Sequence, residues 1–209
     1  LPGSGREARA VAALYPSGST TLLTGPRASE ERVLAAAADA EVIHLATHGS
    51  IEDGSPLDSL LVLSSPEGNG PGRNGLLQAW EILEHLETSA RLVVLSACQT
   101  ADDASLGGEG LLGLAHAFQS AGAREVLATA WRIDDRAASE LMIDFHRHLR
   151  RGQSSAEALH ASTRRFLADH RGERWGSPYF WGAFKLFTGG RSSAAERLTR
   201  RPQRPEKSE

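Results

Sequence analysis

Two apolar runs in the 209-residue chain each end at a side chain able to move a proton or attack a carbonyl. In "VIHLATHG", residues 42–49, it is His48; in "LVVLSACQTA", residues 92–101, it is Cys98, the only cysteine present. A thiolate is a strong nucleophile, but a free thiol holds its proton up to about pH 8.5. A neighbouring imidazole can take that proton and later deliver it to a leaving amine. The tetrahedral intermediate between these steps needs hydrogen-bond donors for its oxyanion. Gly49 follows His48 directly, and its missing side chain lets a carbonyl approach its backbone N–H; the Cys98 N–H is a second donor. Nucleophile, base and oxyanion donors can thus be drawn from two short segments. Spacing alone does not decide the matter, because a single Cys at a strand end is commonly a small buried apolar residue.

Such a pair works only if the fold brings the two runs side by side. "EVIHLAT" (41–47) and "RLVVLSA" (91–97) read as strands, so His48 and Cys98 are expected just past two carboxyl ends. "TTLLT" (20–24), "SLLVLSS" (59–65), "EVLATAW" (125–131) and "YFWGAFKLF" (179–187) read as further strands. Helices are expected over 4–15, from Ser29 to about Ala38, and along Leu76, Trp80 and Leu83 with that stripe on the core. Another is expected along Leu111, Leu114, Ala115 and Phe118, capped at Gly122. A helix along Leu141, Met142, Phe145 and Leu149 should end at Gly152, and a capping box of Ser154 and Glu157 should open one more. Continuous apolar strands alternating with helices predict an α/β domain with a mostly parallel sheet flanked by helices. In such sheets ligands bind beyond the carboxyl ends of the strands, the edge where His48 and Cys98 are expected.

The formal net charge is -3, unevenly spread. Residues 191–209 carry six basic and three acidic side chains, so this tail is +3 and the remainder -6. The acidic body argues against a nucleic-acid partner, and the basic, Pro-containing tail reads as a flexible, solvated terminus. No run of apolar residues is long enough for a membrane span. The chain opens on "LPGSGREARA", with neither a starting Met nor the apolar core of a secretion signal, so a piece of a longer protein is expected. One cysteine cannot form an internal disulfide, which fits a reducing, cytoplasmic setting.

"HLATHG", then "LVVLSACQTA", then "GGEGLLGLAHAFQSAGAREVLATAWRIDD", then "SPYFWGAFKLF" resemble the CHAT family, with a looser likeness at "LPGSGREARAVAAL". These are caspase-like domains often joined to tetratricopeptide repeats. The resemblance implies a caspase-like three-layer sandwich over 1–190, cysteine peptidase activity, a catalytic dyad of His48 and Cys98, and no metal or cofactor. It also implies a protein substrate and a repeat or other sensor region outside this chain. Such domains carry a further strand ahead of the "LPGSGREA" segment, which is missing here. In caspases a Trp-Arg pair after a comparable strand helps build the primary specificity pocket. "AWRIDD" is similar, making Trp131, Arg132 and Asp134 candidate substrate contacts; equally, Asp134 is placed to cap the next helix and Trp131 to pack.

Other features have plainer readings. His44 shares a strand face with His48, so a metal group with Cys98 is conceivable, but a buried, hydrogen-bonded role is expected. His146 and His148 miss the apolar stripe of their helix and are expected in solvent. "GEGLLG" (108–113) matches G-x-G-x-x-G formally, yet it does not follow its strand directly. Its glycines are expected to shape a loop and let the helix pack closely, with Glu109 suiting the helix start. The reading is a cysteine endopeptidase; the alternatives are a catalytically silent interaction module on the same fold and a nucleotide-binding α/β domain.

Overall fold

The computed structural model describes residues 2–65, 74–99 and 109–189. The basic tail and the loop after Cys98, from residue 100 to 108, lie outside the described residues. Six strands form one sheet in the order β3-β2-β1-β4-β5-β6. They are β1 (Val42–Ser50), β2 (Leu60–Val62), β3 (Leu76–Gln78), β4 (Leu92–Gln99), β5 (Glu125–Thr129) and β6 (Phe184–Thr188). The central three, β1, β4 and β5, are parallel, whereas β2, β3 and β6 join through antiparallel pairings. The sheet is therefore mixed, with a parallel centre and antiparallel flanks. β2 lies antiparallel beside β1 because only residues 51–59 join them, too few for the crossover that parallel neighbours require.

Helices cover both faces. On one face α2 (Glu30–Ala38), α3 (Ala79–His85) and α4 (Glu109–Ser120) pack on Ile43, Val93, Leu95, Val126 and Ala128. On the other, α5 (Asp135–Arg150), α6 (Ser155–Asp169) and α7 (Pro178–Trp181) pack on Leu92, Val94 and Leu127. The N-terminal helix α1 (Pro2–Ala12) lies against α5 and β1. Both-face burial explains the unbroken apolar runs "LVVL" and "VLA", whose consecutive residues enter opposite cores.

Four local expectations need correction. Residues 20–24 are not a strand, although Thr20 and Thr24 are extended. A ladder needs a partner, and β2 pairs with β1 only over His48–Ser50. The outer edge of β1 from Val42 to Thr47 thus has no strand beside it among the described residues. Leu76 belongs to β3, not to a helix, and the buried side of α3 is Ala79, Glu81 and Ile82. Trp80 and Leu83 remain 39% and 38% exposed. The segment 179–187 breaks into α7, which Ser177 caps through the Tyr179 N–H and Pro178 starts, and the shorter β6. His146 is not solvated: it is 1% exposed, because α1 and Tyr15 cover that side of α5.

The remaining helix ends follow their signals. Gly122 at φ 119° and Gly152 at φ 85° lie just beyond α4 and α5, and Ser154 with Glu157 forms a full capping box at α6.

Candidate active site

β1 and β4 lie side by side and parallel, in a register running from Val42 opposite Leu92 to Gly49 opposite Gln99. In that register His48 stands directly opposite Cys98. His48 follows Val42 by six positions, as Cys98 follows Leu92, so pairing the two starts also pairs the two ends. Both residues lie within strands rather than past their ends, since β1 continues to Ser50 and β4 to Gln99. The extension of β1 comes from its antiparallel pairing with β2, His48 opposite Val62. The pair still sits at the carboxyl end of the parallel strands, where ligands bind in sheets of this kind.

His48 is half-buried, and its Nδ1 is a buried atom with no hydrogen-bond partner among the described residues. A buried polar atom left without a partner costs free energy. His48 therefore keeps an unspent bond that a thiol proton or a substrate group can take up. Gly49 alternates to the other face, against a small pocket of about 10 Å3 walled by Ile51, Leu61, Leu95, Leu111 and Leu114.

The loop leading out of β1 is fastened to α4. The Gly110 N–H donates to Asp53 Oδ1 at 3.1 Å, and the Glu52 N–H donates to Ser59 Oγ at 3.0 Å. A Cβ on Gly110 would lie 2.5 Å from Ile51 Cγ2, and one on Gly113 would lie 2.4 Å from the Pro56 carbonyl oxygen. Protein atoms thus fill the space these glycines leave, as expected for close packing and not for a phosphate cradle.

At the end of β5, Trp131 is bound into the fold. Its Nε1–H donates to the Tyr179 carbonyl at 2.8 Å, and Lys185 Nζ lies 5.6 Å from its ring centre. Asp134 caps α5, accepting from the N–H groups of Arg136 (2.9 Å) and Ala137 (3.2 Å). Arg132, between them, is exposed. His44 is held on both ring nitrogens: Nε2 lies 2.9 Å from Glu7 Oε1 and Nδ1 lies 3.1 Å from His146 Nε2. Both nitrogens are engaged, so a metal-ligand role for His44 is not supported. The buried, hydrogen-bonded role expected of His44 is what the fold shows, but Glu7 and Tyr15, which complete this chain, were not singled out in the sequence, and His146 was expected in solvent.

The CHAT domain family model matches residues 1–189. The chain belongs to the CHAT domain family. Tetratricopeptide repeat protein 28 of Mus musculus is 29% identical over 170 residues, and that of Homo sapiens 28% over 166. Each alignment covers 66% of this chain but 7% of the relative, so this CHAT domain corresponds to a small part of much longer proteins. No helix among the described residues is long and apolar enough to cross a membrane.

Proposed function

We propose that this CHAT domain is a caspase-like cysteine endopeptidase that cleaves a specific protein through His48 and Cys98. The observation that carries this reading is the register of β1 and β4, which sets the only cysteine directly opposite a histidine with an unspent buried nitrogen. His48 takes the Cys98 thiol proton as Sγ bonds to the substrate carbonyl carbon. The Gly49 and Cys98 N–H groups hold the oxyanion. When the C–N bond breaks, His48 gives the proton to the departing amine, leaving a thioester. Water, activated by His48, then releases the new carboxyl group and restores the thiol. No metal or cofactor enters these steps.

Arg132, exposed just past the end of β5, would meet an acidic substrate side chain, while Trp131 and Asp134 support it through packing and capping. The relatives' name supports a tetratricopeptide-repeat region elsewhere in the same polypeptide as the element that presents the substrate or controls the site. A cytoplasmic setting agrees with the single unpaired cysteine.

The test is alkylation of Cys98 by iodoacetamide as a function of pH, with and without His48→Ala. Rapid reaction persisting well below pH 8, and lost without His48, supports an activated thiolate. An ordinary thiol profile that the substitution leaves unchanged overturns the dyad, and the silent interaction module on the same fold then takes its place.

A further inference from the structure

Glu7, His44, His146 and Tyr15 form one buried hydrogen-bonded chain drawn from four parts of the fold. Glu7 comes from α1, Tyr15 from the segment after it, His44 from β1 and His146 from α5. The links are Tyr15 Oη to His146 Nδ1 at 2.8 Å, His146 Nε2 to His44 Nδ1 at 3.1 Å, and His44 Nε2 to Glu7 Oε1 at 2.9 Å. Glu7, His44 and His146 are almost wholly buried, the Glu7 and His44 side chains 5% and 8% exposed. We propose that this chain is a proton-sensitive latch that holds helix α1 against the strand carrying His48, and that acid releases the helix by loading both imidazoles with protons.

The proton inventory carries the proposal. With both rings neutral, each link holds one hydrogen: Tyr15 O–H donates to His146 Nδ1, His146 Nε2–H to His44 Nδ1, and His44 Nε2–H to the Glu7 carboxylate. One added proton is accommodated. On His44 it reverses the His44–His146 and Tyr15 links, and on His146 it reverses the Tyr15 link alone. A second has no place, because His44 Nδ1–H and His146 Nε2–H would then face each other at 3.1 Å with no acceptor between two cations. Undocking α1 gives both rings to water and removes the conflict.

The surroundings act in the same direction. Burial, then the His44 and Arg91 charges, hold His146 well below the ordinary imidazole value of 6.5. The other charged groups around the chain are Glu7 itself, Glu41, and Arg150, whose guanidinium lies 5.2 Å from the Tyr15 ring centre. Of these charged groups only Glu7 touches an imidazole. A histidine whose value is depressed in the docked state favours docking fully above pH 6.5, and that contribution is lost as pH falls below it.

The experiment is hydrogen–deuterium exchange of the whole chain between pH 5 and 8, corrected for intrinsic exchange, compared with His146→Gln, which can bridge both neighbours but cannot charge. In the wild type, protection of 2–12 should fall by up to about tenfold per pH unit below 6.5, the linkage of one proton, while α2 and α4 hold theirs. In His146→Gln the protection of 2–12 should not change with pH. Should His146→Gln leave α1 open at every pH, the wild type decides alone through the imidazole nitrogen spectrum. Both imidazoles should then be doubly protonated only in the pH range in which α1 opens. Loss of protection shared equally by all helices, the same pH dependence in both proteins, or both imidazoles doubly protonated with α1 still closed overturns the latch. None of these readouts depends on cleavage, so the latch and the dyad fail separately.

Discussion

His44 and His48 lie on the same strand, four residues apart and on the same face, yet the fold treats them oppositely. His44 has spent both ring nitrogens, one on Glu7 and one on His146. His48 retains a buried Nδ1 with no partner among the described residues. The difference follows from what stands over each half of β1. The amino half lies under α1 and α5, which supply polar groups at hydrogen-bonding distance. The carboxyl half runs to the sheet edge, where the register brings Cys98 opposite. A histidine whose bonds are all satisfied inside the fold serves as structure. One left with bonding capacity at a sheet edge is available for chemistry.

The most direct way to break this comparison is to remove each ring in turn. His48→Ala should slow alkylation of Cys98 at pH 6 by roughly a hundredfold, as the thiol reverts towards its ordinary value near 8.5. Its urea midpoint should barely move, since the lost side chain carries an unsatisfied buried nitrogen. His44→Ala should show the converse. It strands the buried Glu7 carboxylate and His146, at a cost of about 3 kcal/mol in urea unfolding, while alkylation of the folded protein slows less than in His48→Ala. Equal effects of the two substitutions on both measurements would erase the distinction.

Much of the frame was legible because apolar runs of strand length and stripes of helical period report burial directly. Leu141, Met142, Phe145 and Leu149 line the buried side of α5 as their spacing requires. His146 did not announce itself, because its cover comes from Tyr15, 131 residues away, and no local period encodes a second helix on that flank. In seven-residue α3 two stripes compete, and packing chose Ala79 and Ile82 over the larger Trp80 and Leu83. For the site, His48 and Cys98 stood out by type and position. Their one-to-one register could not be read, since it depends on how two separate strands slide until both cores fill. The Ser177-Pro178 pair is a readable helix start immediately ahead of the aromatic run 179–187, and the β propensity of that run masked it.

The loop after β1 is held to α4 by close packing as well as by the Gly110–Asp53 hydrogen bond, and Gly113 tests the packing. Alanine is favoured over glycine inside a helix by about 1 kcal/mol. At residue 113, however, the new Cβ would lie 2.4 Å from the Pro56 carbonyl oxygen and 2.9 Å from its carbonyl carbon, backbone that cannot swing aside. Gly113→Ala should therefore destabilise the domain, by about 1–3 kcal/mol, and slow Cys98 alkylation as the loop after β1 shifts. A stabilised variant would mean that α4 does not clamp this loop.

The smallest expected effect separates scaffold from substrate contact at the end of β5. Asp134 spends Oδ1 on two backbone N–H groups at the start of α5. Asp134→Ala should cost about 1 kcal/mol, the ordinary value of a helix N-cap, read as a lowered melting temperature. Asp134→Asn retains the capping oxygen and discards the charge, so it should restore the melting temperature. If Asp134 only caps, Asp134→Asn also cleaves at the wild-type rate, whereas Arg132→Ala weakens cleavage of a substrate with an acidic residue before the scissile bond and leaves the melting temperature unchanged. If Asp134→Asn keeps its stability but changes cleavage, the carboxylate itself meets the substrate, and its charge then works against the acidic preference that Arg132 alone would set.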